Sequence, residues 1–284
     1  MSNPIRPTRR HSLFRGLSLA ALALSGGLYG LVTEAGAQEP PPLIRSTTSA
    51  ARALTDSPRQ HDLMQVLLEF APGAATASHR VNGRGIFTVV SGEITRIEEG
   101  GDTKVFKAGE TFPEDDSDHF DVDANRGSVP ARLLATFLLQ PGAEPLIVDT
   151  NAPPPSKEPT FVAVARTTVG TIPAAFTLSH TIGEVSPGFA VALHTHDGWH
   201  MLTTLSGQAT NRVNGVVQTG QTFVHGPHDV HEAANTSNAI STYMSASINP
   251  QGAVPLRFVS SGRITPAPAA PSVRPPATGD GGLK

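Results

Sequence analysis

The sequence predicts an all-β protein made of two tandem barrel units. Three observations carry this reading. Glycine (27) and proline (25) are abundant in a chain of 284 residues, and they cut it into short segments rich in β-forming residues. A set of short motifs occurs twice in the same order. No stretch shows the sustained 3.6-residue apolar period of a long amphipathic helix.

The segments themselves are strand-like. Ile86–Val90 runs into the turn pair Ser91-Gly92, and Arg132–Leu139 ends at Gln140-Pro141-Gly142. Trp199–Leu205 ends at Ser206-Gly207, and Ala239–Ile248 at Asn249-Pro250. Short strands separated by Gly turns are the pattern of a sandwich or barrel.

The repeat pairs Pro72-Gly73 with Pro187-Gly188, and Ser91-Gly92-Glu93 with Ser206-Gly207-Gln208. It also pairs Gly109-Glu110-Thr111-Phe112 with Gly220-Gln221-Thr222-Phe223, and Pro145-Leu146 with Pro255-Leu256. The first unit is expected over 56–150 and the second over 161–262, as separate barrels joined near residue 153. The Pro-rich stretch 151–160 reads as a stiff linker. Residues 38–55 and 263–284, rich in Pro, Ala, Gly and Ser, are expected to be disordered.

The first 37 residues have the form of an export signal. Arg6, Arg9, Arg10 and Arg15 precede an uncharged run from Gly16 to Val32, and Ala35-Gly36-Ala37 gives a small-x-small cleavage pattern before Gln38. Thr8-Arg9-Arg10-His11-Ser12-Leu13 resembles a bacterial twin-arginine signal, with Ser12 where Phe is common. A periplasmic or secreted protein is therefore expected, with no membrane span in the mature form. The net charge of −3 and the lack of a basic run argue against nucleic acid as a partner. There is no cysteine, so any metal must be held by nitrogen and oxygen. The expected partner is a small-molecule ligand or substrate, and composition leaves a homo-oligomer open.

Six of the eleven histidines fall between His194 and His231. His194 and His196, two apart on a strand, point to one face. The turn pair Asp197-Gly198 can bring His200 back alongside them, and His231 opens a further strand. Barrel closure then gathers four imidazoles.

At these residues the second unit resembles a cupin. The family's first motif, G-x5-H-x-H-x3-E-x6-G, is matched by Gly188, His194, His196, His200 and Gly207, with His200 where Glu is usual. Its second motif, G-x5-P-x-G-x2-H-x3-N, is matched by Gly220, His231 and Asn235, with Gly226 and His228 in the Pro and Gly places. The resemblance implies two tandem cupin barrels (double-stranded β-helix, or jelly-roll), a bicupin whose second barrel is of the four-histidine type. It implies metal ligation by His194, His196, His200 and His231. The first unit keeps His79, but Val81 and Gly85 stand at the next two ligand positions and His119 comes one residue early. That barrel is expected to be structural or a metal-free pocket.

Neutral imidazoles suit one divalent transition metal (Mn, Fe, Cu, Ni, Co or Zn) rather than Mg or Ca. Without the usual Glu the site is one unit more positive, which favours an anionic ligand. His225 and His228 flank the fourth ligand and are candidates for hydrogen-bonding or proton-carrying partners; a solvated loop position is the simpler account of both. Trp199 should pack on the opposite strand face, Asp197 should serve the turn, and Glu232 should point away from the cluster. The leading functional expectation is a metal-dependent oxidoreductase of dioxygenase type. A non-oxidative metal-dependent isomerase, lyase or hydrolase, and a non-enzymatic ligand-binding protein, are the alternatives.

Overall fold

The computed structural model describes residues 44–57, 59–115, 119–211, 215–254 and 256–259. Residues 1–37, read above as an export signal, the first part of the stretch 38–55, and residues 263–284, expected to be disordered, lie outside them. Twenty strands and no helix run through the described residues. The first half holds β1 (Ile44–Thr55), β2 (His61–Phe70), β3 (His79–Val81), β4 (Arg84–Ser91) and β5 (Glu93–Glu98). It continues with β6 (Thr103–Lys107), β7 (Thr111–Asp115), β8 (Asp121–Ala124), β9 (Ala131–Leu139) and β10 (Leu146–Val148). The second half holds β11 (Thr160–Val169), β12 (Ala175–Val185), β13 (Ala190–Thr195), β14 (Trp199–Ser206) and β15 (Gln208–Asn211). It ends with β16 (Gly215–Gln218), β17 (Thr222–His225), β18 (His231–Ala234), β19 (Ser241–Pro250) and β20 (Arg257–Phe258).

These strands form four antiparallel five-stranded sheets. The sheets ordered β11-β2-β9-β4-β7 and β10-β3-β8-β5-β6 make the first barrel. Those ordered β1-β12-β19-β14-β17 and β16-β15-β18-β13-β20 make the second. The repeated motifs land on equivalent places. Asn125 and Asn235, at the end of β8 and β18, each donate through Nδ2 to two backbone carbonyls, those of Phe70 and Val129 in one case and Val185 and Ala239 in the other. The motif asparagine therefore pins a loop and stands apart from the ligand set.

Two expectations need correction. Residues 44–55, assigned to a disordered linker by composition, form β1, which pairs along its length with β12 of the second barrel, from Ile44 opposite Val185 to Thr55 opposite Ala175. Reciprocally, β11 of the second half pairs with β2 of the first. The barrels are therefore not separate units joined only at residue 153; each takes an edge strand from the other half. Composition misled because small and hydroxylated residues suit an edge strand whose partner supplies the ladder.

The exchange creates a core that belongs to both halves. Leu54, Leu63, Leu67, Ile86, Leu134 and Leu138 pack in one cluster with Val169, Phe176, Leu178, Met201, Met244 and Ile248. Polar ties cross the same seam. His180 lies buried with Nε2 2.6 Å from Thr88 Oγ1 and Nδ1 2.9 Å from Thr136 Oγ1. Gln65 donates to the carbonyl of Ser245 at 2.9 Å. Arg52, on β1, donates back to Asp115 of the first barrel at 2.6 and 2.5 Å.

A second apolar cluster fills the interior of the first barrel. Phe87 stacks on Phe112 with centroids 5.2 Å apart, meets Phe137 edge-on at 5.4 Å, and is surrounded by Val66, Val81, Ile94 and Phe106. The interior of the second barrel is instead a cavity of about 220 Å³.

Candidate metal centre in the second barrel

Two ladders bring the histidines together. His194 on β13 stands directly opposite His231 on β18. On the facing sheet His200 of β14 stands opposite His225 of β17. His196 lies just past the end of β13, at the turn into β14. That turn requires glycine, because a Cβ on Gly198 would lie 1.8 Å from the carbonyl oxygen of Ile248. The loop 226–229 closes over the turn through the amide of His228, which donates to the carbonyl of His196 at 2.8 Å.

His194, His196 and His231 are buried, and one ring nitrogen of each lies within 4.8 Å of the other two. The ring centroids of His194 and His231 are 4.2 Å apart, and that of His196 lies 5.2 and 5.1 Å from them. Two of the rings have their second nitrogen engaged. His194 Nδ1 lies 2.8 Å from the carbonyl of Ala192, and His231 Nδ1 3.0 Å from that of Asp229. A carbonyl can only accept, so each Nδ1 carries the proton and each Nε2 presents a lone pair, the tautomer a metal ligand needs.

Burial keeps His194, His231 and His200 neutral. It lowers the pKa of His194, against the bond to Ala192, and takes His231 down to about 4. His200 falls well below the ordinary range, first by burial and then by repulsion from the neighbouring imidazoles. A neutral, nitrogen-only donor set fits a first-row transition metal and fits Mg or Ca poorly.

His200 lines the same cavity with its centroid 4.4 Å from that of His196, but it lies outside the tight group of three. Its Nδ1 is buried and has no hydrogen-bond partner among the described residues. Such an atom costs free energy unless something meets it, as a bound metal ion would.

His225 is not a solvated loop residue. It is buried on β17, stacked on His231 at 3.6 Å and 7°, with Nε2 3.2 Å from the Asn211 amide. Its position was legible in the strand register opposite His200, which loop-centred reasoning around Pro227 overlooked. His228 is exposed, with a positive φ of 65°, and its Nδ1 lies 3.9 Å from Asp197. Asp197 lies between β13 and β14, where its carboxylate is gripped by Arg257 at 2.8 to 3.1 Å. Trp199 packs on the shared core and fills the space beside Gly170.

The first barrel carries different chemistry at the same ladder positions. His79 matches His194, and Asp121 stands opposite it where His231 stands in the second barrel. Asp121, not His119, is thus the counterpart of the fourth ligand; His119 is exposed. Glu114 matches His225, and Gly85 matches His200. A Cβ on Gly85 would meet the Phe87 ring at 2.7 Å, so a histidine there would have to displace that ring. His79, Glu114, Asp121 and Asp123 could group around one ion, and counting histidines alone missed them. Arg96 reaches all three carboxylates, with Nη2 2.5 Å from Glu114 and 3.3 Å from Asp121 and Nε 3.3 Å from Asp123. Its Cζ lies 4.6 Å from the Phe112 centroid. Burial pushes Glu114 up to about 7 and Asp121 up to about 6, against the pull of Arg96.

No family model matches this sequence, and no curated protein matches it. Solved structures do resemble it. AerE from Microcystis aeruginosa is 15% identical, with a TM-score of 0.44 over 70% of this chain and 96% of that one. Oxalate decarboxylase from Bacillus subtilis is 14% identical, with a TM-score of 0.47 over 74% of each chain. Procruciferin, the 11S globulin of Brassica napus, is 9% identical, with a TM-score of 0.47 over 75% of this chain and 87% of that one. The chain's own strand order, ladder register and twice-used motif asparagine define the fold. The architecture is that of a bicupin. Its two cupin barrels share one topology and differ in what fills them.

Proposed function

We propose that the second cupin barrel binds one divalent transition metal through His194, His196 and His231, with His200 completing the set, and that the protein is an exported oxidoreductase of dioxygenase type acting on a small organic substrate. The observation that carries this reading is the trio of buried imidazoles, two with their Nδ1 protons held by backbone carbonyls, opening onto a cavity. Among the described residues that line the cavity there is no Asp, Glu, Lys or Arg. Isomerase, lyase or hydrolase chemistry asks for a side chain that gives or takes protons; here the imidazoles are used as ligands, and Tyr243, which also lines the cavity, has its pKa raised by burial and makes a poor base. A bound redox-active metal would supply the reactivity toward O2, and the protein's part is to hold, orient and shield. Export rests on residues 1–37 and predicts a mature chain that starts at Gln38.

The test is metal analysis of protein taken from its native compartment, together with O2 uptake. One redox-active metal per chain in the wild type, none in His196→Ala with the fold retained by circular dichroism, is the expected result. One metal per chain in His196→Ala would show that the ligands are elsewhere. Zinc with an O2-independent reaction would move the protein to the non-oxidative class.

A further inference from the structure

We propose that the cavity of the second barrel selects a small monoanionic ligand with an apolar body, its anionic oxygen at the histidine cluster and no second charge. The head group rests on the metal reading above; the body rests on the cavity wall alone.

Outside the histidines the exposed wall is mostly apolar, with Thr181, Thr204, Gln208, Thr242, Tyr243 and Ser245 as uncharged polar side chains beside Asn235 and Ser241. Val185, Val191, Leu202, Phe223 and Leu256 face the space. Several polar groups at its edge are already used. Asn235 Nδ2 serves two carbonyls, its Oδ1 accepts from Ser237, and Ser241 Oγ bridges the backbone of Gln208. Thr204 Oγ1 is buried without a hydrogen-bond partner among the described residues. With no charged side chain among the described lining residues, nothing on this wall can neutralise a second anionic group, and leaving one buried and unpaired is costly. A divalent metal held only by neutral imidazoles leaves its charge uncompensated, which draws one anionic oxygen to that end.

Size follows from the same comparison of barrels. At matching ladder positions the first barrel has Phe87, Ile94, Phe106 and Phe137, and the second has Leu202, Ala209, Val217 and Ser247. Each difference removes volume from the second interior. The resulting 220 Å³ lies below the roughly 300–1,000 Å³ typical of sites for drug-sized ligands.

The experiment titrates acetate, butyrate, hexanoate and succinate into the mature chain loaded with Zn(II), a redox-inert ion, by calorimetry, with metal content measured on the same samples. Affinity should rise about fourfold per methylene from acetate to butyrate to hexanoate. Succinate, with the carbon count of butyrate and a second charge, should bind at least about tenfold more weakly than butyrate. Leu202→Phe, which installs the first barrel's side chain, should abolish the advantage of hexanoate over acetate while metal content stays at one per chain. A flat series, or succinate equal to butyrate, with metal still bound, would overturn this proposal and leave the metal reading standing. Absence of bound metal and of carboxylate binding would overturn both. Should Leu202→Phe fail to fold, the chain-length and succinate comparisons on the wild type decide alone.

Discussion

Where the second barrel places His200, Leu202, Asn211, His225 and His231, the first places Gly85, Phe87, Arg96, Glu114 and Asp121. The strands, loops and capping asparagines are shared, so the contrast lies in a handful of inward side chains. The first barrel neutralises its buried carboxylates with a cation tethered to its own backbone, the Arg96 guanidinium, and fills the remaining space with phenyl rings. The second leaves its lone pairs unneutralised and its interior open. A fold that supplies the same positions twice can thus use one copy for stability and free the other for a ligand.

The largest effect should come from removing the strand that joins the two. Deleting residues 44–55 takes away the ladder to β12, the Arg52–Asp115 pair and the buried Leu54. Loss of Leu54 alone is worth about 2–5 kcal/mol, so the truncated chain should lose cooperative unfolding in both barrels by calorimetry. Cooperative unfolding at the wild-type temperature would show that the halves stand independently.

Next is Arg96→Ala, which strands three carboxylates in a buried site. It should cost about 3–5 kcal/mol in urea denaturation near pH 8. The loss should shrink toward pH 5, as the carboxyl groups take up protons, and metal content of the second barrel should be unchanged. An equal loss at both pH values would mean that packing of the guanidinium on Phe112, rather than charge, is what matters.

His200→Glu probes the ligand contrast from the other side. A carboxylate at this place lowers the site's charge by one unit and should weaken azide binding to the metal-loaded protein by about 1–3 kcal/mol. Equal azide affinity with equal metal content would remove His200 from the ligand set and leave a three-histidine site.

The smallest effect is a shape in the pH profile. Burial takes His180, at the seam between the barrels, down to about 3 from 6.5. Its contribution is therefore present above pH 6.5 and is lost as the pH falls toward 3, because the unfolded chain binds the proton more readily. Glu114 and Asp121, raised to about 7 and 6, act in the opposite sense: their contribution is complete below their unfolded values of 4.5 and 3.8 and is lost as pH rises through 6 and 7. Glu114→Gln should flatten the alkaline limb and leave the acid limb in place, as read from melting temperatures across the range.

Much of this was legible in the chain. The His-x-His pair, the Asp-Gly turn and the repeated glycines located the cluster of His194, His196 and His231, because strand alternation and turn chemistry are local. Three features were not. The β1 exchange depends on a partner more than a hundred residues away, and its sequence of small and hydroxylated residues has no apolar face to announce it. The carboxylates of the first barrel became site residues only through the register that sets Asp121 opposite His79. His225 looked like a loop residue because Gly226-Pro227 follows it, whereas its burial comes from the ladder to His200.

The exchanged strand also sets a schedule. Ile44 emerges early in synthesis, but its partner Val185 is 141 residues further on. At roughly 5–20 residues per second a ribosome needs about 7–28 s to make that interval. Throughout it, β1 is an unsatisfied edge, the kind of segment that recruits wrong partners. Its sequence answers the hazard with Arg45 and Arg52 among Ser, Thr and Ala, and with no aromatic residue. The same poverty of apolar side chains that disguised the strand lowers its tendency to aggregate while it waits.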